Sequence, residues 1–315
     1  MTDSIVKKFT RIVCLGLIAL SPVAVIGAEE KKHPDKPLLW KIEGKGLEKE
    51  SWLFGTIHIG QGPIAKLHPS AAKAFDEADA IYTEIPMDPA TQLGLAGHFI
   101  RKDGKTLGDA IGAELSKQLD AELKAINPEL DSTPFQALKT WTVAVTLPML
   151  EFQTKGTQAL DMIIWDRATK AGKITASIEK PEDQFAIFDD LTEEEQVVFL
   201  AESLRGQKEA RESGENPTQA LIDSYISGDE DLIRAEMEKQ ITEMAEGEHK
   251  ELGEKLLKRL FDDRNLSMAD FIAAKLADEP DKSHFFAVGA GHYIGKSNVG
   301  ELLKKKGYKI TRIEE

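Results

Sequence analysis

Cysteine is almost missing from this chain: Cys14 is the single one in 315 residues, and it lies inside an N-terminal apolar run. Beyond that run there is no thiol, which excludes disulfides, thiolate metal ligands and cysteine nucleophiles. A chain without unpaired thiols also suits an oxidising compartment. Positive charge is in short supply as well, with Lys+Arg 40 against Asp+Glu 54 and a formal net charge of −14. A surface that acidic repels polyanions, so neither nucleic acid nor anionic lipid is an expected partner. Two common hydrolase signatures, His-Glu-x-x-His and Gly-x-Ser-x-Gly, are absent.

The apolar run is short. Lys7, Lys8 and Arg11 precede a stretch from Ile12 to about Ile26, interrupted at Ser21-Pro22 and followed by Gly27-Ala28 and then Glu29-Glu30-Lys31-Lys32. Positive, apolar, small, then polar is the order of a secretory signal peptide. A retained membrane anchor is the alternative, but the run falls short of the roughly 20 residues a span needs. The expectation is a signal over 1–28 cleaved near Ala28, a linker over 29–37 and a single domain over 38–315. The protein would then be periplasmic or secreted, with no stable membrane insertion after cleavage.

Leu38–Ile42 and Ser51–Ile57 are β-rich runs flanking Gly44-Lys45-Gly46, the pattern of a hairpin with a longer loop. His68-Pro69-Ser70 starts a helix running to about Glu77, and Ala80–Ile85 reads as a strand stopped by Pro86. Leu107–Ile126, Thr133–Phe152 and Gln158–Ala171 show apolar residues at three-to-four spacing, as helices do. Lys173–Ile178 is a short strand. Thr192–Ala277 reads as almost continuous charged helix with breaks near Gly214, Gly228 and Gly247, the large helical region being about 190–280. The chain ends with a buried-type strand His284–Val288, a Gly289–Gly295 loop, a helix Asn298–Lys306 capped by Gly307, and a strand Tyr308–Ile313. The fold class expected is α/β, a mixed sheet core formed by the N- and C-terminal parts with a large helical middle.

One feature recurs near both ends: a strand followed by Gly-x-x-His, as Gly55-Thr56-Ile57-His58 and Gly289-Ala290-Gly291-His292. In each, glycine permits a tight turn at a strand's carboxyl end, where ligands bind in open α/β sheets. Glu84 closes a third strand. Two imidazoles and a carboxylate on strand ends make a three-ligand metal site of His58, Glu84 and His292 with open positions, as hydrolysis requires. Gly289-Ala-Gly291-His-Tyr-Ile-Gly295 is not a dinucleotide fingerprint, since only about twenty residues follow it and no second βαβ half fits there. His33, His68, His98, His249 and His284 read as structural. Arg264 and Asn265, on their own, read as bridging a helix junction, with Ser267 as a plausible cap of the next helix.

Taken as an ordered set, Gly55-Thr56-Ile57-His58, Glu84 in Tyr-Thr-Glu-Ile, Asp263-Arg264-Asn265-x-x-Met268 and Val288-Gly289-Ala290-Gly291-His292 resemble the TraB/GumN family, to which the Tiki proteins are related. Gly156 to Asp161 and Ser177-Ile178-Glu179-Lys180 to Gln184 add to the likeness, which runs from about Leu38 to Ile313. The family includes metal-dependent proteases and bacterial members implicated in peptide-pheromone shutdown. The resemblance implies a metal centre of His58, Glu84 and His292, with Arg264 and Asn265 brought to it on a helix. Lys180 departs from the small polar residue common after the glutamate, which leaves the supporting role of Glu179 open.

The function expected is therefore an exported metal-dependent hydrolase, peptidase-like, acting on peptide or other acyl bonds of a peptide or protein substrate. Imidazole plus carboxylate accommodates Mn²⁺, Co²⁺ or Zn²⁺. Glu84 is either the third ligand or a general base, and spacing does not separate the two. Arg264 would stabilise the oxyanion and Asn265 would join it at the site. The alternative is a non-catalytic protein that captures a peptide, haem or metal ion in the same cleft.

Overall fold

The computed structural model describes residues 32–154, 156–245, 249–295 and 297–315. The expected signal peptide over 1–28, the opening of the 29–37 linker and the break near Gly247 lie outside the described residues. Contacts among the Cα atoms divide the chain into two compact units. One holds Gln92–Gln158 and Phe185–Thr218; the other holds the described parts of Gly27–Thr91, Ala159–Gln184 and Gln219–Glu315.

The second unit carries a six-stranded mixed sheet. Its strands are β1 (Leu39–Glu43), β2 (Ser51–Thr56), β3 (Ala80–Thr83), β4 (Ile174–Ser177), β5 (His284–Gly289) and β6 (Lys309–Ile313), in the order β4-β3-β5-β2-β1-β6. β1 and β2 form the expected hairpin, with Leu39 opposite Phe54 and Ile42 opposite Ser51. Its loop uses three consecutive left-handed residues, Gly44, Lys45 and Gly46. β6 adds antiparallel to the outer side of β1. β2, β5, β3 and β4 run parallel, so their carboxyl ends open on one side of the sheet. Such strands are covered on both faces and read as continuous apolar runs, as Phe285 to Val288 do, all fully buried. The two ends of the chain thus meet in one sheet: Gly55 of β2 pairs with Val288 of β5, and Thr56 with Gly289.

The helices of this unit follow local signals. His68 caps the helix Pro69–Glu77 by accepting a hydrogen bond from the Ser70 N–H, with Pro69 at the first helical position. Leu160–Lys170 lies between β3 and β4 in sequence and ends before Gly172, whose φ is +67°. The charged region expected as near-continuous helix is broken at Gly214 and Gly228, both left-handed. The junction expected after Asn265 is displaced: a π-turn, Lys258–Asp262, precedes the helix Asp263–Asp278, and Arg264 and Asn265 sit in that helix's first turn. Ser267 is therefore inside the helix, its hydroxyl bonded to the Asp263 carbonyl, and caps nothing. One-turn π segments occur often beside functional sites.

The first unit is helical. Leu107–Ile126, Thr140–Thr146 and Glu193–Ser213 enclose a core that includes Leu107, Leu119, Leu123, Leu147, Leu200 and Leu204. Capping boxes at Thr106/Asp109 and Thr192/Glu195 start the two long helices. The single helix expected over Thr133–Phe152 is instead a string of short pieces. Pro134 and Pro148 each lack the N–H that a continuing α-helix needs, and 3₁₀ turns fall at both. Among the described residues no helix is long and apolar enough to cross a membrane.

Candidate active site

The site lies in the sheet-bearing unit, where β2, β3 and β5 end. His58 follows β2 by two residues, Glu84 follows β3 directly, and His292 follows β5 by three, in a 3₁₀ turn over Ala290–His292. The three side chains stand close enough to feel one another's charge. Among the described residues, however, no three His, Cys, Asp or Glu side chains converge tightly enough to share a metal ion as they stand. Both oxygens of Glu84 are taken up by other groups.

Glu84 is 5% exposed and both its oxygens are bonded. Oε1 accepts the Gly289 N–H at 2.7 Å, and Oε2 accepts from Arg264 Nη2 at 2.6 Å and from Gln184 Nε2 at 3.1 Å. Burial pushes its pKa up, but the charges of Arg264, His292 and His58 with the Gly289 N–H outweigh that and hold it near about 2. Gly289 earns its place by close approach, since a Cβ there would lie 3.0 Å from Glu84 Oε1.

Arg264 is clamped. Its Nε and Nη2 donate to Glu179 at 3.0 and 2.7 Å, Nη2 also donates to Glu84, and Nη1 donates to the Leu260 carbonyl of the π-turn. Gln184 Nε2 bridges the two carboxylates, lying 2.8 Å from Glu179 Oε2. The Lys180 departure therefore leaves the geometry of Glu179 intact. Placing Arg264 between two carboxylates leaves its guanidinium few open donors.

The histidines are backed differently. His58 Nδ1 lies 3.0 Å from Asp161 Oδ2, and the Thr56 hydroxyl donates to Asp161 Oδ1 at 2.7 Å. Asp161 is 1% exposed and sits in the first turn of Leu160–Lys170, where the helix dipole favours an anion. Its charge pulls the His58 pKa up to about 9, against the desolvation that lowers it. The His58 side chain is 62% exposed, so solvent screens part of that pull. His292 is 4% exposed, and burial drives its pKa down to about 3. Its Nδ1 lies 2.7 Å from Asn265 Oδ1, and the Asn265 amide nitrogen donates to the Ser297 carbonyl. Asn265 thus stands behind His292. Phe261 of the π-turn packs beside the His292 ring at 5.5 Å, and with Met237 it crowds Gly291, where a Cβ would clash with both. Nε2 of either imidazole makes no hydrogen bond among the described residues.

Gln184 and Asp161 were visible only as the ends of family-like segments, and their contacts carry no local signature. Tyr225, whose hydroxyl donates to the Gly55 carbonyl at 2.7 Å, had no sequence signal at all. His284, read from the sequence as structural, is fully buried in β5, and its Nδ1 has no partner among the described residues.

Comparison with known proteins gives relatives along most of the chain. The chain is 26% identical over 310 residues to the metalloprotease TIKI1 of Danio rerio, covering 86% of this chain and 62% of that protein. It is 25% identical over 311 residues to the metalloprotease TIKI1 of Homo sapiens, covering 86% and 61%, and 22% identical over 305 residues to a metalloprotease TIKI homolog of Nematostella vectensis, covering 84% and 65%. The chain spans less than two thirds of the length of these relatives. No solved structure matches. The family model described as TraB/PrgY/gumN matches residues 38–312, nearly the whole described chain, and the protein belongs to that family.

Proposed function

We propose that the protein is an exported metal-dependent peptidase, with His58 and His292 holding a divalent ion and Glu84 beside them. The observation that carries this reading is the charge and placement of the site. Glu84, Glu179 and Asp161 set three carboxylates against the guanidinium of Arg264, around two imidazoles whose Nε2 atoms make no hydrogen bond among the described residues. Protonated His58 and Arg264 leave one negative charge there, and a divalent cation that displaced the His58 proton would meet two, at the open end of a parallel sheet. Two imidazole nitrogens free of hydrogen bonds among the described residues, with Glu84 as a charged neighbour, support that reading. A divalent ion there would acidify a water and polarise a scissile carbonyl.

The residues divide the work around that ion. Glu84, held ionised with a pKa near about 2, has too little proton affinity for a general base near neutral pH and serves better as the negative ligand or anchor. Arg264 and Gln184 hold that carboxylate in orientation. The Gly289 N–H fixes its other oxygen to the β5 loop. The metalloprotease names of the relatives support a peptide or protein substrate, and the leader-like N-terminus supports export to the periplasm or the outside.

Elemental analysis of the purified protein beside His58→Ala and His292→Ala tests this directly. About one transition metal per chain in the wild type, lost in both variants, is the expected outcome. Wild-type protein that takes up no Mn²⁺, Co²⁺ or Zn²⁺ refutes the metal reading and leaves capture of a peptide or haem as the function to pursue.

A further inference from the structure

We infer that Asp161 and Asn265 are a matched pair of positioning residues that hold a proton on Nδ1 of both histidines, so that Nε2 is the nitrogen left to each ring for an ion, which at His58 would take the place of the second proton. The inference rests on the metal reading above for its purpose and on hydrogen-bond logic for its content. A neutral imidazole carries one N–H and one lone pair, and the partner of one nitrogen decides the state of the other.

For His292 the logic closes without assuming protons. Asn265 Nδ2 lies 3.0 Å from the Ser297 carbonyl oxygen, which only accepts, so the amide nitrogen must face it. That orientation leaves Oδ1 facing His292 Nδ1 at 2.7 Å. An amide oxygen also only accepts, so Nδ1 donates and Nε2 is left bare. For His58 the partner is a carboxylate, Asp161 Oδ2, itself anchored through Oδ1 by the Thr56 hydroxyl. Nδ1 again must donate. Both backing residues are buried and come from first turns of helices, Leu160–Lys170 and Asp263–Asp278, while both histidines hang from the ends of paired strands.

The two backings are not equivalent. The anion stands behind the exposed ring and the neutral amide behind the buried one. An anion at Asn265 would add another charge to a pocket that already holds Glu84 and Arg264, whereas Asp161 is stabilised by its helix N-terminus. A carboxylate behind a ligating histidine also raises the basicity of that ligand, and loss of such a partner weakens metal binding by about 10–100-fold.

The test uses full-length, metal-free protein with ¹⁵N-labelled histidine rings and long-range ¹H–¹⁵N correlation spectra at pH 7. Wild-type His292 is expected to show a protonated Nδ1 and a bare Nε2. Asn265→Leu should lose that pattern, and Asn265→Asp, which keeps an acceptor, should retain it. Titration with Co²⁺, followed by its visible absorption, should show affinity reduced by about 10–100-fold in Asp161→Asn and in Asn265→Leu, and far less in Asn265→Asp. A wild-type spectrum with the proton on His292 Nε2 overturns the inference, and so does undiminished Co²⁺ affinity in Asn265→Leu once the tautomer is lost. A wild type with the Nδ1–H pattern that binds no Co²⁺ supports the tautomer assignment and refutes the metal reading, so the two failures are distinguishable.

Discussion

Arg264→Met separates a clamped guanidinium from one held ready for substrate. Arg264 makes charge-assisted bonds to Glu179 at 3.0 and 2.7 Å and to Glu84 at 2.6 Å, and the three side chains are 15%, 9% and 7% exposed. Methionine keeps most of the stem and removes the charge, so two carboxylates are stranded with little water to solvate them. Breaking a buried ion pair from one side costs about 3–5 kcal/mol. The loss should fall at that scale in urea unfolding at pH 7. A second substitution, Glu179→Met, removes one stranded carboxylate and should return about 2 kcal/mol. The deficit should also shrink in acid. With Arg264 gone, burial has no strong cation to oppose it at Glu84, whose pKa climbs, and the stranded acid can take a proton. Wild-type Glu84 behaves oppositely: its pKa is depressed from 4.5 to about 2, so the stability it contributes is present above 4.5 and is lost only as pH falls through about 2. A loss below about 1 kcal/mol at pH 7, or one indifferent to Glu179, would refute the clamp. Arg264 would then be a loosely held cation, open to the oxyanion role first expected of it.

Three further outcomes follow from single positions. Gly55→Ala should destabilise by about 1–3 kcal/mol in the same assay, because its Cβ would meet the Leu38 Cβ at 3.0 Å and Ala290 backbone at 3.3 Å, neither of which can swing away. Gly206→Ala, inside the Glu193–Ser213 helix with nothing within 4 Å, should stabilise by about 0.5–1 kcal/mol, and a loss there would contradict the described helix. Metal-free protein should lose stability as pH falls below 6.5, since the His292 pKa is depressed to about 3 and the unfolded chain takes up the proton first; His292→Leu should flatten that slope. The His58–Asp161 pair acts at the other end of the scale, with its stability present below 6.5 and lost as pH rises through about 9.

Much of the sheet was legible because its signals are local. Glycines flank the β1–β2 loop, Phe285 to Val288 form a run that only a covered strand explains, and Gly307 stops a helix with φ at +95°. The two Gly-x-x-His turns fall where periodicity and strand ends place them. What stayed hidden is of another kind. Asp161 contacts His58 across 103 positions and Gln184 contacts Glu84 across 100, and neither residue differs on its own from an ordinary polar residue in a helix's first turns. The π-turn at Lys258–Asp262 is likewise silent in sequence, because a single extra residue in a helix shifts the apolar phase by less than the charged composition blurs it. For that reason Arg264 and Asn265 read as a junction when they belong to a helix start.

Sequence separation is itself a weak obstacle to building such a site. Glu84 bonds to Gly289 across 205 positions, and His58 to Asp161 across 103. Loop-closure entropy grows only with the logarithm of length, so the longer closure costs about 0.6 kcal/mol more than the shorter. One charge-assisted bond, such as the Gly289 N–H to Glu84, exceeds that at about 1.5–3 kcal/mol. The expensive requirement is instead register. A one-residue slip between β2 and β5 would turn every side chain of a strand to the opposite face and carry Gly55 away from Val288, together with both histidine turns. Both strands are buried on both faces, so what resists the slip is the fit of shapes, as where Gly55 lies against Leu38 and Ala290. The core packing of the sheet therefore does what no residue within the site can do, which is to keep the two Gly-x-x-His turns at the ends of neighbouring strands.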